Sequence, residues 1–421
     1  MKKELKILII NRKEQIFSRN ATIVNVLKAL ESEFLVKDLW ILSESGKKIS
    51  TYDSKPIDFN YKFFEEYNTD NILEILKQEN PDLLFVTNDY EYIVRAFVIS
   101  AKFLQIPTVL SLQSGFSEYF EKEIAIKNRI NIIIERGGFI FKKYKILLKT
   151  YRKTKYNIFQ ILKIMLEDFF KPFFYSELAG RYECDLILTI NQKMENLLKS
   201  FKIKSRIVVT GDPLMDSIYE NILKYEKREQ VNFPLKVIFM TTAVVEHGIW
   251  TKKMWSETVK QTISTITKNF SDEINLSLKI HPRSETIKDY EVLLKEIDVK
   301  IPILQTENLL DVVNNADLVI SYAESWGLWE VLFLKKPIII VNLFNYEIEK
   351  MPFVKEGVAF ELKNLSEFKK ILTKIKEKEI LNSTIQNMIT KYIFKFDNKA
   401  SERSAIAIKE LIRNFKEKQY T

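Results

Sequence analysis

Two stretches decide how this chain folds. One is Leu278-Lys279-Ile280-His281-Pro282-Arg283; the other runs from Leu318-Val319-Ile320-Ser321 through Glu324-Ser325-Trp326-Gly327-Leu328-Trp329-Glu330 to Lys336-Pro337-Ile338-Ile339-Ile340-Val341. In the first, an apolar run stops at a proline, so it reads as a buried strand whose end carries an ammonium and an imidazole. The second reads as strand, small-residue turn, helix bearing an acid, and strand. Continuous apolar strands alternating with helices indicate a parallel sheet covered on both faces. Such sheets bind ligands beyond the carboxyl ends of their strands, and this is where His281 and the Ser325–Glu330 turn fall.

The same alternation runs outward in both directions. Upstream, Leu5–Ile10, Phe34–Leu42, Asp82–Thr87, Pro107–Leu112, Asp185–Thr189 and Ile207–Thr210 read as strands, with helical periodicity at Asn20–Glu33, Asn71–Gln78 and Tyr92–Leu104. After Gly211-Asp212-Pro213 the pattern restarts with Lys236–Met240, Ile274–Ile280, Ile301–Leu304, Leu318–Ser321 and Pro337–Val341. The chain of 421 residues is too long for one ordinary core. Two Rossmann-like, doubly wound α/β domains facing a cleft are therefore expected. Residues 1–215 are expected to form the first domain, 216–395 the second, and 396–421 a C-terminal helix that returns to the first domain.

One segment breaks the pattern. From about 118 to 181 the chain is helical, aromatic and basic, and between Arg129 and Lys155 lie nine cations opposed only by Glu135. An insertion of that size is uncommon unless it has a function. Cations interleaved with apolar residues suit an anionic membrane surface, and a cytoplasmic protein peripheral to the inner face of the membrane is expected. Nucleic acid is not expected as a partner, because the cations sit in an insertion and no recognised binding motif accompanies them.

Composition excludes several classes. With 46% hydrophobic and 29% charged residues the chain is globular. A single cysteine, Cys184, rules out a disulfide framework, and two histidines make a His-based metal centre improbable. Neither a phosphate-binding Gly-x-x-x-x-Gly-Lys-Ser/Thr loop nor a Gly-x-Gly-x-x-Gly fingerprint occurs, which argues against an ATPase or a dehydrogenase. No Asp-x-Asp pair is present either, so no metal and no cofactor is expected.

Three motifs carry a resemblance. Val208-Val209-Thr210-Gly211-Asp212-Pro213-Leu214-Met215-Asp216 resembles the crossover of non-hydrolysing UDP-N-acetylglucosamine 2-epimerases and related GT-B glycosyltransferases. Ser325–Glu330 is similar to their Ser-Gly-Gly-x-x-Glu turn. Lys279-Ile280-His281-Pro282 resembles the His-Pro motif of GT-B sialyl-, Kdo- and glycerophosphate transferases of surface-polysaccharide synthesis.

The resemblance implies a GT-B glycosyltransferase using a CMP-, CDP- or UDP-linked sugar, or a polyol phosphate, with a glycan or lipid-linked acceptor. Donor contacts are expected from Lys279, Ser321, Glu324, Ser325, Gly327, Glu330, Gly211 and His247. Helix-start N–H groups would hold phosphate, Glu330 would accept the ribose hydroxyls, and His281 would stabilise the leaving phosphate. Gln113, Ser114 and Gly115 are expected on the acceptor side, with Asp89 or Glu118 as base. By position Asp89 matches a catalytic aspartate of the epimerases. Gln113, however, stands where they carry a glutamate, and an amide cannot take a proton as a carboxylate does. Epimerisation is thus the alternative, and a non-enzymatic membrane- or nucleic-acid-binding module the further one.

Overall fold

The computed structural model describes residues 2–12, 21–44, 59–112, 140–154, 156–174, 180, 182, 184–225, 234–246, 248–282, 284–345, 351–377 and 382–420. The chain forms two compact units: Met1–Ser217 with Ile389–Thr421, and Ile218–Met388.

The first unit is built on seven parallel strands: β1 (Lys3–Arg12), β2 (Phe34–Ser43), β3 (Tyr61–Phe63), β4 (Leu83–Val86), β5 (Thr108–Leu112), β6 (Leu186–Thr189) and β7 (Arg206–Val209). Their order is β3-β2-β1-β4-β5-β6-β7, so the winding reverses between β1 and β4. Burial follows from sequence. Leu5 and Ile7 to Ile10 of β1 are all buried, as a central strand covered on both faces requires. The side chains divide by parity. Leu8 and Ile10 join one core with helix Tyr92–Phe103, while Leu5, Ile7 and Ile9 join another with helix Ala21–Leu30.

The C-terminal helix Ala400–Tyr420 belongs to this second core through Ala405, Ala407, Ile408, Leu411 and Ile412. Its start is held from a distance. Asp216 accepts the N–H groups of Ala400 (3.1 Å) and Ser401 (2.7 Å), and Arg403 donates to the Thr210 carbonyl at 2.8 Å. Gly211 lies against this helix with φ near +85°, and a Cβ there would meet Arg403, Ala400 and the Ile393 carbonyl at 3.3–3.4 Å. The Thr210–Asp216 motif therefore anchors the returning helix.

The inserted segment is described over 140–154 and 156–174, with helices at 140–153 and Ile158–Phe174. Ile146, Leu147, Tyr151 and Ile161 enter the first unit's core. The anchor is electrostatic as well as apolar. Arg95, buried in helix Tyr92–Phe103, pairs with the buried Asp168 at 2.7 Å and lies 3.8 Å from the centre of the Tyr182 ring.

The second unit has six parallel strands: β8 (Leu235–Met240), β9 (Ile274–Lys279), β10 (Ile303–Leu304), β11 (Leu318–Ser321), β12 (Ile338–Val341) and β13 (Phe360–Leu362). Their order is β10-β9-β8-β11-β12-β13, a doubly wound arrangement whose reversal falls between β8 and β11. The loops after β8, β9 and β11 thus emerge side by side at the carboxyl edge, where this topology leaves a crevice for ligands.

Candidate functional site in the second unit

The ends of β8, β9 and β11 are tied together through one carboxylate that the motif search did not single out. Glu285, four residues beyond His281, is buried and accepts from three donors: the His281 backbone N–H (2.7 Å), the Thr241 hydroxyl (2.5 Å) and the Tyr290 hydroxyl (2.6 Å), with the Tyr322 oxygen 3.3 Å away. Thr241 follows β8, His281 follows β9 and Tyr322 follows β11. Tyr322 also donates to the Thr242 carbonyl at 2.9 Å, and its ring packs 5.0 Å from Trp250. A charged acceptor inside low-dielectric surroundings holds such donors strongly. The only signal in the sequence is an acid four residues past a His-Pro turn.

His281 lies half-buried at this edge. Its Nδ1 accepts the Ser284 N–H at 3.1 Å, so in the neutral ring the proton sits on Nε2. The imidazole can therefore donate from Nε2 whether neutral or charged. Lys279 is placed otherwise: it is buried, and its ammonium donates to the Gln305 carbonyl at 2.6 Å. Burial lowers its pKa, and Gln305 in turn donates to the Glu285 carbonyl at 2.8 Å. Lys279 braces the strand end from inside instead of lining the crevice.

Beyond β11 the chain turns through Ala323–Trp326 into helix Gly327–Phe333. Gly327 packs closely here: a Cβ would come within 2.8 Å of the Leu309 Cδ2 and 3.4 Å of the Met240 sulfur at the end of β8, so a larger residue would displace those side-chain ends. Ser321 donates to the Ala323 carbonyl at 2.8 Å, shaping the turn. The side chain of Glu324 points away into the unit: its carboxylate accepts the N–H groups of Phe353 (2.8 Å) and Val354, capping helix Pro352–Lys355. Burial outweighs those two bonds and raises its pKa to about 8.

Glu330 is different. It lies on the first turn of its helix, and among the described residues no hydrogen bond or ion pair reaches its carboxylate; desolvation alone raises its pKa to about 7. The Ser325 hydroxyl likewise has no hydrogen bond among those residues. This edge therefore offers two acceptors and an imidazole N–H from adjacent loops, close to the start of helix Gly327–Phe333, where the N–H groups of Leu328 and Trp329 already donate to the Ser325 and Trp326 carbonyls.

Other expected site residues fall elsewhere. Gly211 belongs to the first unit and packs on the C-terminal helix. Asp89 is fully buried in the first unit, with its oxygens accepting the N–H groups of Gly180 (2.8 Å) and Tyr182 (3.0 Å). Burial raises its pKa to about 6 against the opposing pull of those bonds. A carboxylate held in this way fixes the 180–182 backbone and presents no free oxygen to a substrate hydroxyl. Gln113, Ser114, Gly115, Glu118 and His247 lie outside the described residues.

Comparisons with known proteins bear on the fold. Neither protein-family models nor curated proteins give a sequence match. Solved structures do match over nearly the whole chain. A complex of S. aureus MnaA with UDP superposes with a TM-score of 0.55 at 14% identity, covering 97% of both chains. UDP-GlcNAc 2-epimerase from Neisseria meningitidis bound to UDP-GlcNAc gives 0.54 at 12% identity, covering 97% of this chain and 100% of that one. Os79 from O. sativa in complex with UDP gives 0.52 at 10% identity, again covering 97% and 100%. The chain has the GT-B fold. At such identities the likeness establishes the fold alone.

Proposed function

We propose that this protein is a GT-B glycosyltransferase that binds a nucleotide-activated donor at the carboxyl edge of the second unit's sheet. The observation that carries the reading is Glu330, a desolvated carboxylate without a hydrogen-bond partner among the described residues, set one turn into the helix that starts beside β8. A ribose diol supplies the two O–H donors that such a carboxylate lacks. The donor phosphates then lie toward Ser325–Gly327 and the Nε2–H of His281. As the bond from the anomeric carbon to the phosphate oxygen breaks, charge grows on that oxygen, and a fixed N–H donor stabilises it more than it stabilises the intact donor. The acceptor hydroxyl attacks the anomeric carbon and yields its proton to a base, for which Glu118 is the candidate. Three of the matching structures hold UDP or UDP-GlcNAc, which favours a UDP-linked sugar over CMP- or CDP-linked ones. A polyol-phosphate donor and a glycan or lipid-linked acceptor of surface-polysaccharide synthesis fit the same reading, as does chemistry without a metal.

Epimerisation is the second reading, favoured by the presence of 2-epimerases among the matching structures. Two features of this chain oppose it. Gln113 replaces the family's glutamate, and Asp89, matching the family's aspartate, is occupied by backbone N–H groups. Titrating the protein with UDP-, CDP- and CMP-sugars by calorimetry, then assaying nucleotide release with acceptor present, tests the transferase reading. Binding of none of these donors would overturn it. Appearance of the 2-epimer from UDP-GlcNAc alone, followed by NMR, would establish the alternative.

A further inference from the structure

We infer that helix Ile158–Phe174 is an interfacial helix that docks this protein on an anionic membrane surface. The inference rests on the first unit and is independent of the donor chemistry of the second.

The exposed positions between Ile158 and Phe170 are Ile158, Phe159, Gln160, Leu162, Lys163, Met165, Leu166, Phe169 and Phe170, so seven of nine are large and apolar. Phe159 is 79% exposed, Phe169 66% and Leu166 61%. At about 100° per residue the seven apolar side chains fall in one arc of roughly 140°. Taking about 150–200 Å² per side chain, the arc presents on the order of 600–800 Å² of apolar surface, at or beyond the largest patch usual for a soluble monomer.

The arc cannot be turned inward. Asp168 and Ile161 lie on the opposite side of the helix, and both are committed: Ile161 to the core, Asp168 to the buried Arg95 at 2.7 Å with the Tyr144 and Tyr182 hydroxyls at 3.4 Å. Rotating the helix would strand a buried guanidinium without its partner, which is strongly unfavourable. The Arg95–Asp168 pair therefore fixes which face of the helix meets the surroundings.

Charge identifies the occupant. Helix 140–153, packed into the same core, exposes Lys142, Lys145, Arg152 and Lys153 as well as Lys149, which pairs with Asp70, and Lys163 borders the apolar arc. Between residues 140 and 170 the only acids are Glu167 and Asp168, neither of them exposed. An apolar stripe bordered by Lys163, in a stretch (140–170) whose exposed charges are all basic, complements lipid headgroups carrying negative charge over acyl chains. A second copy of the chain seated by a two-fold on the same face would set these cations against one another. Among the described residues no helix is long and apolar enough to cross a membrane, so the geometry is that of a helix lying in the interface plane.

Vesicle flotation of the full chain tests this. At low salt the protein should float with vesicles one-third phosphatidylglycerol and stay behind with pure phosphatidylcholine. F159E/L166E/F169E, which changes only exposed positions, should lower the bound fraction at least tenfold. K142E/K145E/K153E should do the same, since each cation near such a surface multiplies partitioning by about fivefold. Far-UV circular dichroism, melting temperature and UDP titration should be unchanged in both variants. A separate readout is F159W, whose emission should shift to the blue with anionic vesicles only. Failure of the wild type to float overturns the inference, as does equal flotation of either variant. So does a concentration-dependent dimer, seen by ultracentrifugation, that the apolar-to-Glu variant dissolves while flotation is absent, because the arc would then be covered by a second copy. Loss of UDP binding alone would bear on the donor site and leave this surface standing.

Discussion

Replacing Glu285 by alanine should do more damage than any single change at the exposed edge of the second unit. The carboxylate satisfies a fixed backbone N–H on His281 and the hydroxyls of Thr241 and Tyr290, with the Tyr322 oxygen beside it at 3.3 Å. Each buried donor left without a partner costs about 1–3 kcal/mol. Tyr322 keeps its bond to the Thr242 carbonyl, and Thr241 has the Lys279 carbonyl at 3.5 Å as a poor substitute, so the loss concentrates on His281 and Tyr290. A destabilisation of roughly 3–5 kcal/mol follows, large against a typical total of about 5–15 kcal/mol. Glu285→Gln should cost about 1–2 kcal/mol, because the amide oxygen can face His281 and Thr241 while its NH₂ group donates to the two tyrosine oxygens. Urea unfolding followed by circular dichroism and by tryptophan emission gives both values, with Trp255 reporting locally through its 3.1 Å bond to Tyr290. The glutamine variant should also lose turnover more than nucleotide affinity, since it loosens the strand end that carries His281. An alanine variant within about 1 kcal/mol of wild type would refute the reasoning, because the carboxylate would then be solvated and its donors satisfied by water.

Three further outcomes follow. Donor affinity should rise up to about tenfold between roughly pH 6 and pH 8 as Glu330, with its pKa near 7, ionises and accepts ribose hydroxyls; Glu330→Gln should flatten that rise, and an unchanged pH profile in calorimetry would remove the ribose role. Asp89→Ala should cost about 2–4 kcal/mol by stranding the Gly180 and Tyr182 N–H groups, whereas a base would show lost turnover at unchanged stability, and the two are separated by melting and rate measurements on one variant. Asp89, Asp212 and Glu330 are all held above their unfolded pKa values by burial, at about 6, 7 and 7. Their stabilising contributions are complete below about pH 4 and are lost as pH rises through those values, so the melting temperature should fall from about pH 4 to pH 7, less so in Asp212→Asn.

The apolar runs by themselves determined the alternation of strands and helices and the two doubly wound sheets, because a strand buried on both faces must be apolar at every position. They did not reveal β3 or β13. Each is three residues long on a sheet edge and paired on one side only, so its sequence carries little periodicity and its existence depends on the neighbouring strand. The candidate site divides in the same way. His281 and the Ser325–Glu330 turn were legible because a proline, a glycine and an acid punctuate apolar strands there. Lys279 and Glu324 read as ligand contacts in sequence, yet one faces the Gln305 carbonyl and the other a helix start at residues 352–355. Glu285 belongs to none of the three motifs, and only the convergence of three strand ends made it the centre of the network. The 140–174 segment shows the same limit. Its composition announced apolar and basic helices, but the buried Arg95–Asp168 pair, formed by residues 73 apart in sequence, decided which face turns outward. A side chain's type sets what it can bond; where it points is decided by partners that the sequence places far away.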